Sequence, residues 1–404
     1  MRRWARHTAL AVVITALTCA LAPSASARPS PRVTDPWWVR KLDSVIGGRP
    51  FSVALGDDRA FWYRHLAAKG RPPASNEKLL LSMALLNRLP VGSTIRTRAT
   101  ATVRLSHGVL QGSLWLVGNG DPETNRAALK RLARRLVDGG LRRITGSVRG
   151  GTRPFSRDWD APGWKDYFPA LYIPLPTALT FEGNEDAAGV NITDPELRAA
   201  AFFTQRLERL GVKVGGPPRA GKQPDGLRPL AWIDSEPLRQ IVRRMCLRSR
   251  NFYAEVLGKR LGLLTQGKGS IAAAARQIEA YVASRGLSVT AYDASGLSYD
   301  NRAQAQTFVR LLWDADGRAW GTVLRSSLPH AGQGTLKGRL KGIKLHAKTG
   351  TLTDASALTG WVWLKREDRW AEFSIMSSGF DDTAAKGVED TIVRVIAKYA
   401  VAPA

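Results

Sequence analysis

The sequence predicts an α/β (α+β) protein in which a mixed domain is interrupted by an inserted β-rich domain. A chain of 404 residues is too long for one small core, so two or three domains are expected. An apolar helical pattern ends near residue 90, period-two alternation follows it, and helical patterns return from about 237. We therefore assign residues 28–95 and 235–404 to a split domain and residues 96–234 to the insert.

Residues 1–27 have the three parts of a secretory signal peptide. Arginines precede a short apolar run at 9–21, and an A-x-A cleavage signal ends at Ala27. The mature chain is therefore expected to begin at Arg28 and to act in the periplasm, at the cell wall or outside the cell. The apolar run is short for a membrane span, and an uncleaved leader that anchors the protein is the second interpretation.

The charge and the cysteine content restrict the partners and the chemistry. The formal charge of +26, taken with export, argues against nucleic acid and favours anionic envelope polymers or phospholipid headgroups. The alternative is a solvated basic surface that serves no particular partner. Without the leader, Cys246 is the one remaining cysteine, so no intramolecular disulfide is expected. Its apolar-periodic surroundings without a nearby histidine indicate a core cysteine rather than a nucleophile.

Periodicity and turn residues predict the elements of the first half. Strands are expected at 51–56 and 60–63, and a helix at 75–89 ends at Pro90. Alternation then predicts a β-hairpin over 95–118. The insert continues with a helix at 129–136, a strand at 144–150, an ordered loop at 151–176, strands at 178–181 and 188–193, a helix at 199–210 and a connector at 214–230.

Helical periodicity dominates the second half, and three strands follow a turn-rich loop at 293–298. The predicted helices are 237–246, 252–261, 271–285, 303–315 and 388–399. The predicted strands are 343–348, 357–364 and 370–377.

A serine precedes a lysine by three residues where the first long helix begins. Residues at i and i+3 share a helical face, so Ser75 Oγ and Lys78 Nζ can meet. The run at 79–86 is apolar on all sides, which indicates a buried helix. Burial lowers the pKa of a lysine, and such a lysine can take a proton from an adjacent hydroxyl. A lone S-x-x-K is a weak signal, because a surface serine and a solvated lysine give the same pattern.

Two further motifs, Ser249-x-Asn251 and Lys348-Thr349-Gly350, supply other groups that acyl transfer needs. Ser249 can relay a proton, Asn251 can hold a substrate amide, and Lys348 can hold a substrate carboxylate. The strand of Lys348 can pair with an extended peptide, and Gly350 would leave room for its close approach.

The oxyanion that forms during acyl transfer needs hydrogen-bond donors. The backbone N–H groups of Ser75 and Thr351 are the candidates for this oxyanion hole.

In their order and contexts, these motifs resemble those of the low-molecular-mass class C penicillin-binding proteins, which are D-alanyl-D-alanine carboxypeptidases and endopeptidases of peptidoglycan. The resemblance covers about residues 40–395. It rests on Pro73-Ala-Ser-Asn-x-Lys-Leu79, Leu114-x-Leu-Val-Gly-x-Gly-Asp-Pro122, Ser249-x-Asn-x-x-Ala-Glu255, Ser295-Gly-Leu-Ser298 with Asn301-Arg302, and Ala347-Lys-Thr-Gly-Thr-Leu352.

The resemblance implies a serine β-lactamase and penicillin-binding-protein-like domain, with an antiparallel sheet flanked by helices. It also implies peptidoglycan peptides as substrates, covalent inhibition by β-lactams, and neither metal nor cofactor. The implied catalytic residues are Ser75 as acylated nucleophile, Lys78 as its base and Ser249; the implied substrate-binding residues are Asn251, Lys348, Thr349, Gly350 and Thr351.

The chain departs from the family pattern at several positions. Arg250 stands where the family usually has aspartate, Ala294 where it has glycine, and Gln333 where it has aspartate. The interval between Ser75 and Ser249 is also shorter than usual, so a subdomain of the insert is expected to be missing. These departures affect the expected substrate preference and leave the three core motifs whole.

Three other functions compete with a peptidase. A non-catalytic wall-binding or scaffolding protein of the same fold is supported by Arg250 and opposed by the intact motifs. A serine β-lactamase would need a water-activating group that the sequence does not identify. A Ser-His-Asp hydrolase lacks its G-x-S-x-G motif. His346 lies on the same strand face as Lys348 and either edges the cleft or packs beside it; His65, His107 and His330 also lack a motif.

Overall fold

The computed structural model describes residues 36–57 and 60–403. The predicted signal peptide lies outside these residues, and none of the helices within them is long and apolar enough to cross a bilayer. The helices are α1 (Trp37–Ile46), α2 (Glu77–Arg88), α3 (Arg126–Asp138), α4 (Phe168–Leu171), α5 (Pro195–Arg209), α6 (Leu238–Arg248), α7 (Asn251–Gln266), α8 (Ile271–Ala283), α9 (Ala305–Asp316), α10 (Gly321–Ser327) and α11 (Asp382–Tyr399). The strands are β1 (Phe51–Asp57), β2 (Ala60–His65), β3 (Arg96–Ala101), β4 (Val109–Leu110), β5 (Leu114–Val117), β6 (Arg143–Ile144), β7 (Val148–Gly151), β8 (Lys213–Val214), β9 (Arg219–Gly221), β10 (Arg228–Asp234), β11 (Leu345–Leu352), β12 (Ala355–Leu364) and β13 (Arg369–Ser378).

The main sheet joins strands from both ends of the chain in the order β11-β12-β13-β1-β2. All of its neighbours are antiparallel, and β1 pairs with β13 so that Phe51 lies opposite Ser377. Both faces are buried: Val53 and Leu55 pack toward α1 and α11, whereas Ala54 packs toward the helices around α2. The predicted antiparallel sheet flanked by helices is therefore confirmed.

A second group of strands comes entirely from the segment predicted as the insert. Its larger sheet has the order β10-β3-β5-β7-β9, and a small parallel sheet has the order β4-β6-β8. The hairpin expected over 95–118 is present as the antiparallel pair β3 and β5. Helices α3 and α5 cover this group with a core of their own that includes Leu129, Leu132, Phe203 and Leu207. The division into independent domains stays a prediction.

Some elements differ from the predicted ones. The segments 178–181 and 188–193 are not strands, although Leu179 and Phe181 are buried as their alternation suggested. The connector predicted at 214–230 contains the short strand β9 and the first residues of β10. Helix α1 precedes the first predicted strand and was not predicted, although its buried residues form one helical stripe, namely Trp38, Val39, Leu42 and Ile46. The short helix α10 was not predicted.

Cys246 lies on α6 in the main helical core and is fully buried, as predicted. Its thiol lies 3.6 Å from Ser82 Oγ, and burial raises its pKa, which keeps the sulfur protonated.

Candidate active site

The start of α2 brings the predicted serine and lysine into contact. A 3₁₀ turn at Ala74–Asn76 continues directly into the helix, and Lys78 Nζ donates a hydrogen bond to Ser75 Oγ at 3.0 Å. Ala74 has a left-handed φ of 47°, which is a strained conformation for a residue with a side chain. The backbone strain therefore lies at the residue before the candidate nucleophile.

Lys78 is fully buried, like the rest of the first three turns of α2. Besides Ser75 Oγ, its Nζ contacts Asn251 Oδ1 at 2.9 Å and the backbone carbonyl of Ser295. Burial lowers the pKa of Lys78 to about 8, although the neighbouring carboxylates of Asp293 and Glu255 raise it. About a tenth of the Lys78 side chains are then neutral at pH 7.

The partners of Lys78 determine where the lone pair of the neutral amine points. A neutral amine has two N–H donors and one lone pair, whereas amide and backbone carbonyl oxygens only accept. Asn251 Oδ1 and the Ser295 carbonyl therefore take the two hydrogens. The lone pair is left for the Ser75 hydroxyl, which is the arrangement that a general base needs.

The turn between α6 and α7 places Ser249 beside the second buried lysine. Ser249 adopts the left-handed conformation, with φ 52° and ψ 42°, and α7 begins two residues later. Lys348 Nζ donates to Ser249 Oγ at 2.9 Å and to the carbonyl of Thr349 at 2.6 Å. Burial, and then the charge of Lys78, lower the pKa of Lys348 to about 7.

Strand β11 lies at one margin of the main sheet and carries the K-T-G motif. On its outer side, Ala347 N donates to the Pro329 carbonyl at 2.9 Å, near the start of the strand. Further along, Thr349 Oγ1 bonds Thr335 Oγ1 at 2.7 Å, and Thr349 and Thr351 both line a cavity. The margin of β11 that follows Ala347 therefore faces this cavity.

Gly350 has a packing role that was not predicted. A side chain here would place its Cβ 2.7 Å from the Pro73 carbonyl oxygen and 3.1 Å from Ser75 N. The glycine lets β11 lie against the turn that holds the candidate nucleophile. The expected close approach of a substrate peptide at Gly350 stays a prediction.

The cavity has a volume of about 550 Å³. Ser75, Ser249, Asn251, Thr349 and Thr351 line it, so five of the predicted site residues meet at one surface. The two lysines are buried behind the hydroxyls that they contact. Within the described residues, no group of three or more histidine, cysteine, aspartate or glutamate side chains is placed to hold a metal.

An aromatic wall of the cavity was not predicted. Phe168 and Tyr172 come from the loop at 151–176, and Tyr299 comes from the turn after the S-G-L-S motif. The carbonyl of Tyr172 accepts a hydrogen bond from Asn251 Nδ2 at 3.2 Å, which fixes the orientation of that amide. The aromatic enrichment of the loop was the available signal, but α4 is a single helical turn and the rest of the loop is irregular, so no periodicity positions the wall.

Helix α7 ties three site-forming segments together through side chains spaced by four residues. Asn251 contacts Lys78, and Glu255 Oε1 accepts from the backbone N–H groups of Ala294 and Ser295 at 2.9 and 2.7 Å. These bonds hold the turn whose Ser295 carbonyl accepts from Lys78. Burial, and then the charge of Asp293, raise the pKa of Glu255 to about 8.

The third of these α7 side chains is Lys259, which is also fully buried. Its Nζ donates to three backbone carbonyls of residues 156, 158 and 176, at 2.9 to 3.1 Å, and pairs with Asp158 Oδ1 at 2.6 Å. It therefore holds together the two ends of the loop that carries the aromatic wall.

The residues that depart from the family pattern do not line the cavity. Arg250 is exposed, and its guanidinium carbon lies 5.3 Å from the centroid of the Tyr253 ring. Ala294 is buried, and Gln333 precedes a 3₁₀ turn. The centroids of the His346 and Trp370 rings lie 5.7 Å apart, and His346 does not line the cavity. This histidine therefore packs beside the cleft.

The fold is that of a penicillin-binding protein. Penicillin-binding protein 4 from Haemophilus influenzae matches with a TM-score of 0.80 and 19% identity, over 89% of this chain and 99% of that one. A second structure of that protein, complexed with a β-lactam, matches with a TM-score of 0.72 over the same shares, again at 19% identity. The chain belongs to the D-Ala-D-Ala carboxypeptidase 3 (S13) family, whose model matches residues 53–186 and 175–399.

Sequence relatives agree with this assignment. A D-alanyl-D-alanine carboxypeptidase from an Actinomadura species is 26% identical over 420 residues, which cover 81% of this chain and 77% of that protein. A carboxypeptidase of Mycobacterium tuberculosis is 29% identical over 336 residues, which cover 76% of this chain and 71% of that protein. The predicted family and the predicted class of enzyme, a serine-type D-Ala-D-Ala carboxypeptidase that acts on peptidoglycan, are confirmed.

Proposed function

We propose that Ser75 is the nucleophile of a two-step acyl transfer that removes the terminal D-alanine from peptidoglycan stem peptides. One observation carries the proposal: Ser75 Oγ lies 3.0 Å from the Nζ of a fully buried lysine whose pKa is lowered to about 8. Burial of the amine and the accept-only partners of its hydrogens both favour proton transfer from the serine to Lys78.

In the first step, Ser75 Oγ attacks the carbonyl carbon that precedes the terminal D-alanine, and its proton passes to Lys78 Nζ. The carbonyl oxygen becomes an oxyanion and accepts from the backbone N–H groups of Ser75 and Thr351. The carbon–nitrogen bond then breaks. The proton that Lys78 took passes through Ser249 to the leaving nitrogen, so Lys78 is neutral again. D-alanine departs as the amine, and the peptide remains as an ester on Ser75.

In the second step, water attacks the ester and gives its proton to Lys78. The ester bond breaks, Ser75 Oγ recovers its proton, and the shortened peptide leaves with a new terminal carboxylate. Lys348, Thr349 and Thr351 hold the substrate carboxylate, and Asn251 holds a substrate amide. The same acyl step with the amine of a cross-linked peptide as leaving group would be a DD-endopeptidase reaction.

Location and partners complete the proposal. The predicted signal peptide favours action in the periplasm, at the cell wall or outside the cell. The catalytic residues belong to the split domain of residues 28–95 and 235–404, with 96–234 as an inserted domain. We further propose that β-lactams acylate Ser75 and that the basic surface holds the enzyme on anionic envelope polymers or lipid headgroups.

Labelling with a fluorescent penicillin tests this proposal. The mature protein should form a covalent adduct that peptide mapping locates on Ser75, and the purified protein should release D-alanine from a pentapeptide. Ser75→Ala and Lys78→Ala should abolish the adduct. Ser93→Ala removes an exposed hydroxyl that bonds only a nearby backbone carbonyl, and it should label normally. An adduct elsewhere, or none from a folded protein, would overturn the assignment.

A further inference from the structure

Five basic side chains line a groove between α3 and α5, which we call the α3 groove. The groove has a volume of about 330 Å³. Its lining residues are all different from those of the catalytic cavity. They are Lys130, Arg131, Arg134, Arg135, Asp138 and Arg206.

The positive charges of the groove outnumber its negative charges five to one, because Asp138 is the one acid among the lining residues. Among the described residues, no ion pair involves any of the five cations. Arg135 donates to the carbonyl of Trp232 at 2.5 Å, and the Nε of Arg206 is buried without a hydrogen-bond partner. Lys130 and Arg134 are four residues apart on α3, as are Arg131 and Arg135, and such like-charged pairs destabilise a helix.

Packing explains the buried face of α3 and leaves the sign of its charges unexplained. Leu129, Leu132 and Leu136 are buried against the core of the insert. The outward face needs polar side chains, and a mixture of acids and bases would satisfy that need without mutual repulsion. A run of cations with one acid, Asp138, fits a partner that supplies the negative charge.

We propose that the α3 groove binds a linear polymer whose charges are phosphate diesters, as in an anionic polymer of the cell envelope. Guanidinium groups bind phosphate oxygens through paired hydrogen bonds, and four of the five cations are arginines. Cations four residues apart lie about 6 Å from each other along the helix axis, so one chain can meet several in succession.

The shape and polarity of the groove favour a polymer over a membrane surface. A flat bilayer cannot enter a cleft between two helices as a single chain can. Helices that lie in a membrane interface also insert large apolar side chains. In the described part of the chain, α3 and α5 expose none. This proposal does not depend on the role of Ser75.

Binding of a soluble poly(glycerol phosphate) chain to the full mature protein, measured by calorimetry at several salt concentrations, tests the proposal. The groove variant replaces Lys130, Arg131, Arg134 and Arg206 by glutamine. A matched control replaces Lys69, Arg88, Lys341 and Arg394 by glutamine. These four side chains are exposed and lie outside the groove. We expect the groove variant to bind at least about tenfold more weakly at low salt and the control less than about twofold.

The other outcomes overturn the proposal. An equal loss of affinity in both variants would mean that net charge alone attracts the polymer. If the parent protein did not bind poly(glycerol phosphate), this class of polymer would be excluded as the ligand of the groove. Binding of phosphatidylglycerol vesicles that is lost in the groove variant, without polymer binding, would assign the groove to lipid headgroups. Penicillin labelling of the groove variant should equal that of the parent, which separates a lost surface from a lost fold.

Discussion

Lys78 Nζ and Asn251 Oδ1 lie 2.9 Å apart and join the starts of α2 and α7, which are 173 positions apart in the chain. This contact leaves Asn251 Nδ2 to donate to Tyr172, so the amide links the buried lysine to the aromatic wall of the cavity. The amide oxygen and the Ser295 carbonyl together orient the Lys78 amine toward Ser75.

The two buried lysines predict a bell-shaped pH dependence of acylation. Lys78 must be neutral to take the serine proton, whereas Lys348 must be protonated to hold a carboxylate. Their pKa values are lowered to about 8 and about 7, so the productive combination is most abundant between about pH 7 and 8. Stopped-flow acylation between pH 5 and 10 measures this profile. A substrate without the free carboxylate should lose the falling limb, and acylation that is fastest at pH 5 would contradict Lys78 as the base.

Asn251→Asp should move the rising limb of that profile to higher pH. A carboxylate in place of the amide oxygen favours the charged ammonium, which raises the pKa of Lys78 by about one unit or more. The same pH series, repeated on this variant, measures the shift. Asn251→Ala removes the acceptor without adding charge and should slow acylation without an upward shift. If the rising limb of both variants lay at the same pH as in the parent protein, and acylation were equally fast, the proton acceptor would not be Lys78.

Gly350→Ala should displace the candidate nucleophile. The added Cβ would lie 2.7 Å from the carbonyl oxygen of Pro73, so the turn before α2 must move. A displacement of about 1 Å costs about a hundredfold in rate, and we expect a loss of that order in penicillin acylation. Gly221→Ala is the matched control, because a Cβ there meets nothing within 4 Å. Equal acylation by both variants would show that the turn accommodates the methyl group.

Lys259→Met should destabilise the protein by about 3 kcal/mol, because it leaves Asp158 and three loop carbonyls without their buried partner. Urea unfolding measures this change. The loop also carries the aromatic wall, so we expect KM for a stem peptide to rise more than kcat falls. Lys268→Met removes an exposed lysine just beyond α7. It should leave the free energy of unfolding, KM and kcat unchanged. An unchanged free energy of unfolding would mean that Lys259 does not hold the loop.

Local spacing is the part of the site that could be predicted. Ser75 and Lys78 share one turn of helix, and Lys348 to Thr351 share one strand, so their relative positions follow from backbone geometry alone. The apolar run after Lys78 also predicted its burial. The meeting of Ser249 with Lys348 follows from the folded packing of distant segments, and the motif order indicated it only through the resemblance.

The remaining parts depend on contacts that leave no periodic trace. Tyr172 reaches the site from a loop whose last residue, Pro176, is bonded by Lys259 from 83 positions further along the chain. The segment around Leu179 alternates like a strand, yet Thr180 bonds the carbonyl of Asp121 and the backbone does not join a sheet. Apolar alternation predicts burial of side chains, and it does not guarantee a neighbouring strand.

The position of β11 at the margin of the main sheet has a consequence for selectivity. A peptide that lies along this margin would become a sixth strand, recognised by its own main-chain N–H and C=O groups. Side chains that alternate away from the cavity would then contribute little to binding. We infer that the enzyme responds to the direction, length and terminal configuration of a stem peptide more than to the identity of every residue within it.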